Sequence, residues 1–237
     1  CYCRCQQHNN VRQTSYGKLM CTNIGYCTNV HRGNSLAEVK HNLLKHAAVV
    51  RDRIAGEQSL PVGLWLSAAV ASELDQQATV ELKDWLEKHR FLPYTFNGFP
   101  YSDFHQPIVK HAVYLPTWAD PLRLDYTIRL AEIMAAVLPD GESGTISTLP
   151  IGWPSTTKNI LGKTLNQVLG KQDLQTAKSA AEQLKRLALR LRRIFEDTGK
   201  HILICVEPEP GCMLDSAGQV AIFFETMLFN DPNSADI

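Results

Sequence analysis

The stretch Ile202-Leu203-Ile204-Cys205-Val206-Glu207-Pro208-Glu209-Pro210-Gly211-Cys212 decides the fold. Its first residues form a continuous apolar run with no polar alternation, the pattern of a strand buried on both faces in a parallel sheet. A carboxylate follows the last apolar residue directly. In a parallel βα architecture that position is a strand's C-terminal end, where ligands are met.

Working outward, four more strand-like runs precede this one, at residues 24–30, 62–67, 91–96 and 145–149. Helix-periodic segments separate them. Ser35 with Glu38 three residues later predicts a helix start by the capping-box pattern, and the helix runs to about Ala55 with Leu36, Val39, Leu43, Leu44, Ala47 and Val50 as its apolar stripe. Helical segments are predicted at 68–74 and 79–89. Asp120-Pro121 opens a strong helix whose core face is Leu124, Ile128, Leu130, Ala131, Met134 and Val137, closed by Pro139-Asp140-Gly141. The longest helix spans 173–198 on Ala177, Ala181, Leu184, Ala188, Leu191 and Phe195, and a last one spans 215–229. Strict alternation, with no Gly-x-Gly-x-x-Gly turn after any strand, favours a parallel barrel over a dinucleotide-binding sheet. A full barrel takes eight βα units and about 250 residues. Five units occupy this chain, so the expectation is an α/β barrel that is incomplete.

The third run opens into Asn97-Gly98-Phe99-Pro100-Tyr101-Ser102-Asp103-Phe104-His105, which concentrates rings, an amide, a carboxylate and an imidazole. Asn-Gly ends the strand, and no regular pattern resumes until about Asp120; a loop of that length in a compact domain is commonly functional. Parallel strands put all their C-terminal ends on one face. The predicted rim is therefore assembled from Thr28, Asn29 and His31 after the first strand, Asn97, Phe99, Tyr101, Asp103 and His105 after the third, Trp153 after the fourth, and Glu207 and Glu209 after the fifth. His31, Asn97, Phe99, Tyr101 and Trp153 are candidate substrate-binding groups, His105 and Glu209 candidate catalytic ones, and Glu207 a candidate ligand for a divalent cation.

Composition excludes other classes. The 24 basic and 24 acidic residues cancel, leaving no field for nucleic-acid phosphates. Lys185, Arg186, Arg190, Arg192 and Arg193 alternate with apolar residues as the wet face of a helix. No apolar stretch approaches the roughly 20 residues of a membrane span. Residues 1–22 read as a disordered or non-native leader ahead of a partial barrel domain at 23–237. The chain lacks an initiator Met, which suggests an incomplete chain or a misassigned start. Cys1, Cys3 and Cys5 have no second Cys pair at zinc-ligand spacing. The odd and scattered set of seven cysteines reads as reduced thiols of a cytoplasmic protein.

Several motifs carry a resemblance. Tyr26-Cys27-Thr28-Asn29-Val30-His31, the run from Thr95 to His105, Val109-Lys110-His111-Ala112-Val113-Tyr114, Pro116-Thr117-Trp118, Ser147-Thr148-Leu149-Pro150-Ile151-Gly152-Trp153 and Glu207-Pro208-Glu209-Pro210-Gly211-Cys212 resemble, in order, the metabolite-traffic protein EboE family. That resemblance implies a xylose-isomerase-like TIM barrel of the Ebo cluster, handling a small secondary-metabolite precursor beside other Ebo-cluster proteins. It also implies a family protein that continues through three further units, making this chain an N-terminal fragment. In xylose-isomerase-like barrels a Glu ending the fifth strand is typically a metal ligand, so Glu207 would bind Mn, Mg or Zn, with the remaining ligands on strands beyond this chain. The alternative function is a divalent-metal-dependent sugar isomerase or epimerase, with Glu209 as a second ligand or a general base.

Overall fold

The local signals at the chain's helix starts are satisfied by hydrogen bonds. The computed structural model describes residues 24–105, 110–155 and 171–229, so the predicted leader lies outside the described residues. Ser35 Oγ accepts the Glu38 N–H at 3.2 Å, and the Glu38 carboxylate reaches back to the Asn34 N–H at 2.9 Å. Ser67, Asp75 and Asp120 cap the next helices in the same way, with Pro121 in the first turn of the third.

The strands are β1 (Tyr26–Cys27), β2 (Leu60–Leu64), β3 (Phe91–Asn97), β4 (Ser143–Thr148) and β5 (His201–Val206). The helices are α1 (Leu36–Asn42), which passes through a wider turn at Leu43–Ala47 into α2 (Ala48–Ile54), then α3 (Ala68–Glu73), α4 (Gln76–Lys88), α5 (Pro121–Val137), α6 (Lys171–Thr198) and α7 (Ala217–Phe223). All five strands are parallel and lie in the order β1-β2-β3-β4-β5. Sequential order without a reversal distinguishes a barrel wall from a doubly wound sheet. The fold is accordingly α/β, five consecutive units of a parallel barrel.

Three expectations need correction. The first strand is two residues long, because Thr28–Val30 turns into a tight helical turn and Thr28 Oγ1 accepts the Trp65 N–H instead of continuing the ladder. The second is displaced towards the N-terminus, since Trp65, Leu66 and Ser67 lead into the cap of α3. The apolar run of β5 is not buried on both faces. Ile202 is 5% exposed under the helices but Leu203 on the opposite face is 46% exposed, because β4 is its one strand neighbour among the described residues.

One face of the sheet packs on the helices. Val62, Phe91, Phe96, Ile146 and Ile202 meet Leu130, Met134 and Ile194 in one cluster, while Trp118, Leu149, Ile151, Ala177, Leu184 and Phe223 form a second. On α6 the buried stripe drifts: Ala177 and Leu184 are buried as expected, but Ile194 takes the core place and Phe195 is left 49% exposed. A straight helix lying across a twisted sheet presents a gradually rotating face, and a step of threes and fours cannot follow it indefinitely. The inner face of the sheet is mostly small and polar. Cys27, Gly63 and Thr95 meet there, since a Cβ on Gly63 would lie 2.9 Å from Cys27 Sγ and 3.0 Å from Thr95 Cγ2. Register then places Thr145 and Leu203 beside Thr95, and Ser147 and Cys205 beside Asn97.

Candidate functional site

The polar inner face leads to the C-terminal ends of β3, β4 and β5. Thr145 Oγ1 donates to Thr95 Oγ1 at 2.8 Å, and Thr95 Oγ1 donates to the Thr145 carbonyl at 3.2 Å. Further along, Asn97 Oδ1 accepts the Phe99 N–H at 3.0 Å, fixing the turn that ends β3. The Ser147 hydroxyl lies 3.4 Å from Asn97 Oδ1 and also bonds the Glu207 carboxyl. A hydroxyl has one proton, so Ser147 shares its donation between Asn97 Oδ1 and the Glu207 carboxyl. Glu207 extends the β4–β5 ladder, its N–H donating to the Thr148 carbonyl at 2.9 Å. Burial raises the Glu207 carboxyl pKa above the ordinary range; the Ser147 bond opposes this, and Glu209 adds like charge that reinforces it.

Glu209 sits in a neighbouring cluster. The Tyr114 hydroxyl bonds its carboxylate, and Cys212 Sγ lies 3.8 Å from its Oε2. Burial, then the nearby Cys212 and Glu209, raise the Tyr114 pKa, so the phenol stays a donor. Trp153 stacks obliquely on His111 at 4.1 Å and on Tyr114 at 5.2 Å, and Phe99 meets Tyr114 edge-on at 5.7 Å. Gly211, at φ +90°, lets the chain pass close under the indole; a Cβ there would fall 2.9 Å from the ring.

His31 and His105 occupy the β1 side. His31 Nε2 is 2.6 Å from the Tyr26 hydroxyl, and its ring stacks on His46 at 4.2 Å. Burial lowers the His31 pKa, helped by His46, His105 and Lys45. His105 Nε2 meets the Asn29 carbonyl at 2.9 Å, while its Nδ1 lies 3.4 Å from Asp103 Oδ1. Asp103 also accepts the His105 N–H and the Asn34 amide, and those contacts pull its pKa down against the opposing effect of burial. His105 is thus a strut between the loops after β1 and β3. Tyr101 goes elsewhere: it packs edge-on against Tyr126 of α5 at 5.2 Å and lies under the Arg123 guanidinium.

Of the predicted site residues, the structure brings together Asn97 and Glu207 through Ser147, and Phe99, Trp153 and Glu209 through Tyr114. His31 and His105 form a separate group, and Tyr101 joins the helix layer. Ser147, Tyr114 and Cys212 lie within the quoted motifs but were not among the candidate site residues. Strand alternation could have found Ser147, two residues after Thr145; nothing local marks Tyr114, which reaches the site from within the long loop.

Arg123 was also missed. It is 0% exposed, donates Nε to the Pro116 carbonyl at 3.0 Å, and Nη1 to the carbonyls of Gly98 at 2.9 Å and Phe99 at 3.0 Å. Its rings for company are Tyr101 and Tyr126. One buried cation therefore ties both ends of the loop that carries Phe99, His105 and Tyr114.

A metal at Glu207 finds an incomplete shell. Among the described residues no three His, Cys, Asp or Glu side chains converge closely enough to hold an ion. Glu207 is one carboxylate, and Glu209 is engaged by Tyr114 and Cys212. Among the described residues no helix is long and apolar enough to cross a membrane.

No family model and no curated protein matches the sequence. Among solved structures it is similar to the IolI protein with a binding zinc atom, at 13% identity and a TM-score of 0.41, over 76% of this chain and 53% of that one. It is also similar to a xylose isomerase domain protein from Alicyclobacillus acidocaldarius subsp. acidocaldarius, at 13% identity and a TM-score of 0.44, over 88% of this chain and 61% of that one. The chain spans little more than half the length of these structures. Likeness at this level carries no argument about chemistry, and the barrel assignment rests on the sheet order described above.

Proposed function

We propose that the protein binds and hands on a small polar metabolite at the rim formed by β3, β4 and β5, the EboE-like metabolite-traffic role implied by its motifs, in the cytoplasm and beside other proteins of that cluster. The observation that carries this reading is the hydrogen-bonding row Asn97, Ser147 and Glu207, aligned at three adjacent strand ends above a hydroxyl-lined inner face. A few convergent polar groups beside aromatic walls are what a small-molecule site requires. Phe99 and Trp153 supply walls, and His31 the far side of the rim.

Native mass spectrometry of the full chain, exposed to a small-molecule extract of cells that express it, tests the reading. Wild type retains a low-mass adduct that Ser147→Val and Asn97→Leu lose. Identical adducts in all three proteins refute it.

One observation favours a second reading, isomerase or epimerase chemistry. A carboxyl whose pKa is raised by burial holds a proton more readily than an ordinary Glu, which suits a group that must receive and return one. Glu207 would be that group, and the strut geometry gives His105 a positioning role. A metal-assisted version needs ligands beyond those described. Deuterium wash-in from heavy water into an aldose and ketose panel separates the readings: exchange that Glu207→Gln abolishes supports the isomerase, and binding without exchange supports traffic.

A further inference from the structure

The rim is electrically lopsided. Glu207 and Glu209 have no Lys or Arg within ion-pair distance among the described residues. Arg123, a buried cation of α5, donates Nε and Nη1 to the carbonyls of Gly98, Phe99 and Pro116 and forms no ion pair with either carboxylate, its Nη2 being buried without a hydrogen-bond partner among the described residues. Among the described residues, the other Lys and Arg side chains near the rim, Arg32 and Lys45, follow β1 and lie with His31 on that side. Four strand spacings separate β1 from β5, on the order of 19 Å along the sheet. That exceeds the roughly 8–10 Å over which exposed charges act at physiological salt.

Beside the carboxylates lies an exposed aromatic surface. Trp153 is 38% exposed, and it shares one cluster with Glu209 through Tyr114, whose hydroxyl bonds the carboxylate and whose ring lies 5.2 Å from the indole. Indole is the strongest aromatic partner for a cation, and a nearby carboxylate supplies the counter-charge. Glu209 accepts from Tyr114 and Cys212, which leaves lone pairs on its two oxygens. A phosphate or carboxylate ligand would instead meet two carboxyl groups with no Lys or Arg paired to either among the described residues. Among the described residues His111 is the base in this cluster; it is exposed and already stacked on Trp153.

We propose that the ligand taken at this rim carries an organic ammonium group, seated against the Trp153 indole with Glu209 as its counter-ion. The inference rests on the reading of the rim as a small-molecule site and names the ligand's charge class.

The test titrates the full chain with choline and with its uncharged carbon isostere, 3,3-dimethyl-1-butanol, following indole N–H resonances by NMR. Of the four tryptophans, Trp65 and Trp118 are buried with their N–H groups bonded to the Pro100 carbonyl and to Thr148 Oγ1, Trp85 lies on α4 under Lys40, and the signal lost in Trp153→Leu identifies Trp153. Choline should shift the Trp153 signal and bind at least about tenfold more tightly than the isostere. Trp153→Leu should weaken choline by roughly 2–5-fold, the value of an exposed cation–π contact. Glu209→Gln, which keeps the shape, should remove most of the preference for charge, with far-UV circular dichroism unchanged in both variants. Equal affinities for the two probes, or binding of neither, overturn the ammonium assignment. An uncharged adduct retained by the same protein in native mass spectrometry would leave the small-molecule reading standing.

Discussion

Replacing Arg123 with Met removes the cation that closes the long loop and leaves a side chain of similar length in its place. Three carbonyls lose their donors: Gly98 is buried, whereas Phe99 and Pro116 are partly exposed and can turn to water. Hydrogen bonds to a charged group contribute about 1.5–3 kcal/mol each, so the three sum to roughly 4.5–9 kcal/mol. Against this stands the relief of no longer burying a guanidinium, several kcal/mol. Burial pushes the Arg123 pKa down to about 10, so the group is still charged at neutral pH and the relief is real. The difference favours the wild type by about 2–4 kcal/mol. For a chain of this size that lowers Tm by roughly 5–15 °C. Arg123→Lys should fare no better, because a compact ammonium on a shorter stem cannot reach the Pro116 carbonyl and the Gly98–Phe99 pair together. Urea and thermal unfolding followed by far-UV circular dichroism measure both variants. A methionine variant within about 1 kcal/mol of wild type, or full recovery by lysine, would refute the reasoning.

Gly98→Ala places a Cβ 2.9 Å from both Ile146 Cγ2 and the Ser147 carbonyl oxygen, so β3 must move off β4 at the rim; a loss of about 1–3 kcal/mol in urea unfolding is expected, and an unchanged midpoint would contradict the packing. Glu207 has a folded pKa raised above its unfolded value, so its contribution is present below the ordinary Glu range and lost as pH rises through the raised value. Glu207→Gln should therefore match wild type near about pH 4 and exceed it in stability near about pH 7.5; the opposite order would show that the carboxylate is compensated in the free protein. Asp103 behaves in the reverse sense, its pKa being depressed chiefly by the His105 N–H: stability is present above the ordinary Asp range and lost as pH falls through the folded value. Asp103→Asn should lose stability at neutral pH and converge on wild type in acid, and a pH-independent difference would assign the effect to shape alone.

What the sequence determined by itself is local and periodic. The runs at 91–96, 145–149 and 202–206 mark strands by their β-branched, aromatic and apolar residues bounded by turn signals, and Ser35, Ser67 and Asp120 mark helix starts because the first turn's N–H groups need acceptors nearby. Parallel alternation then places Asn97, Trp153, Glu207 and Glu209 at strand ends without any knowledge of contacts. Tertiary structure decided the rest. Ser147 joins Asn97 to Glu207 only because register sets β3, β4 and β5 side by side, and Tyr114 reaches Glu209 from a loop whose path no propensity describes. His105 and Tyr101, equal in sequence as polar aromatics after β3, part company: one bridges to the Asn29 carbonyl and the other packs on α5. Arg123 is the clearest instance. A helix cation beside apolar neighbours is ordinarily solvent-facing, and this one is buried where three loop carbonyls, brought together by the fold, replace water around its Nε and Nη1 donors.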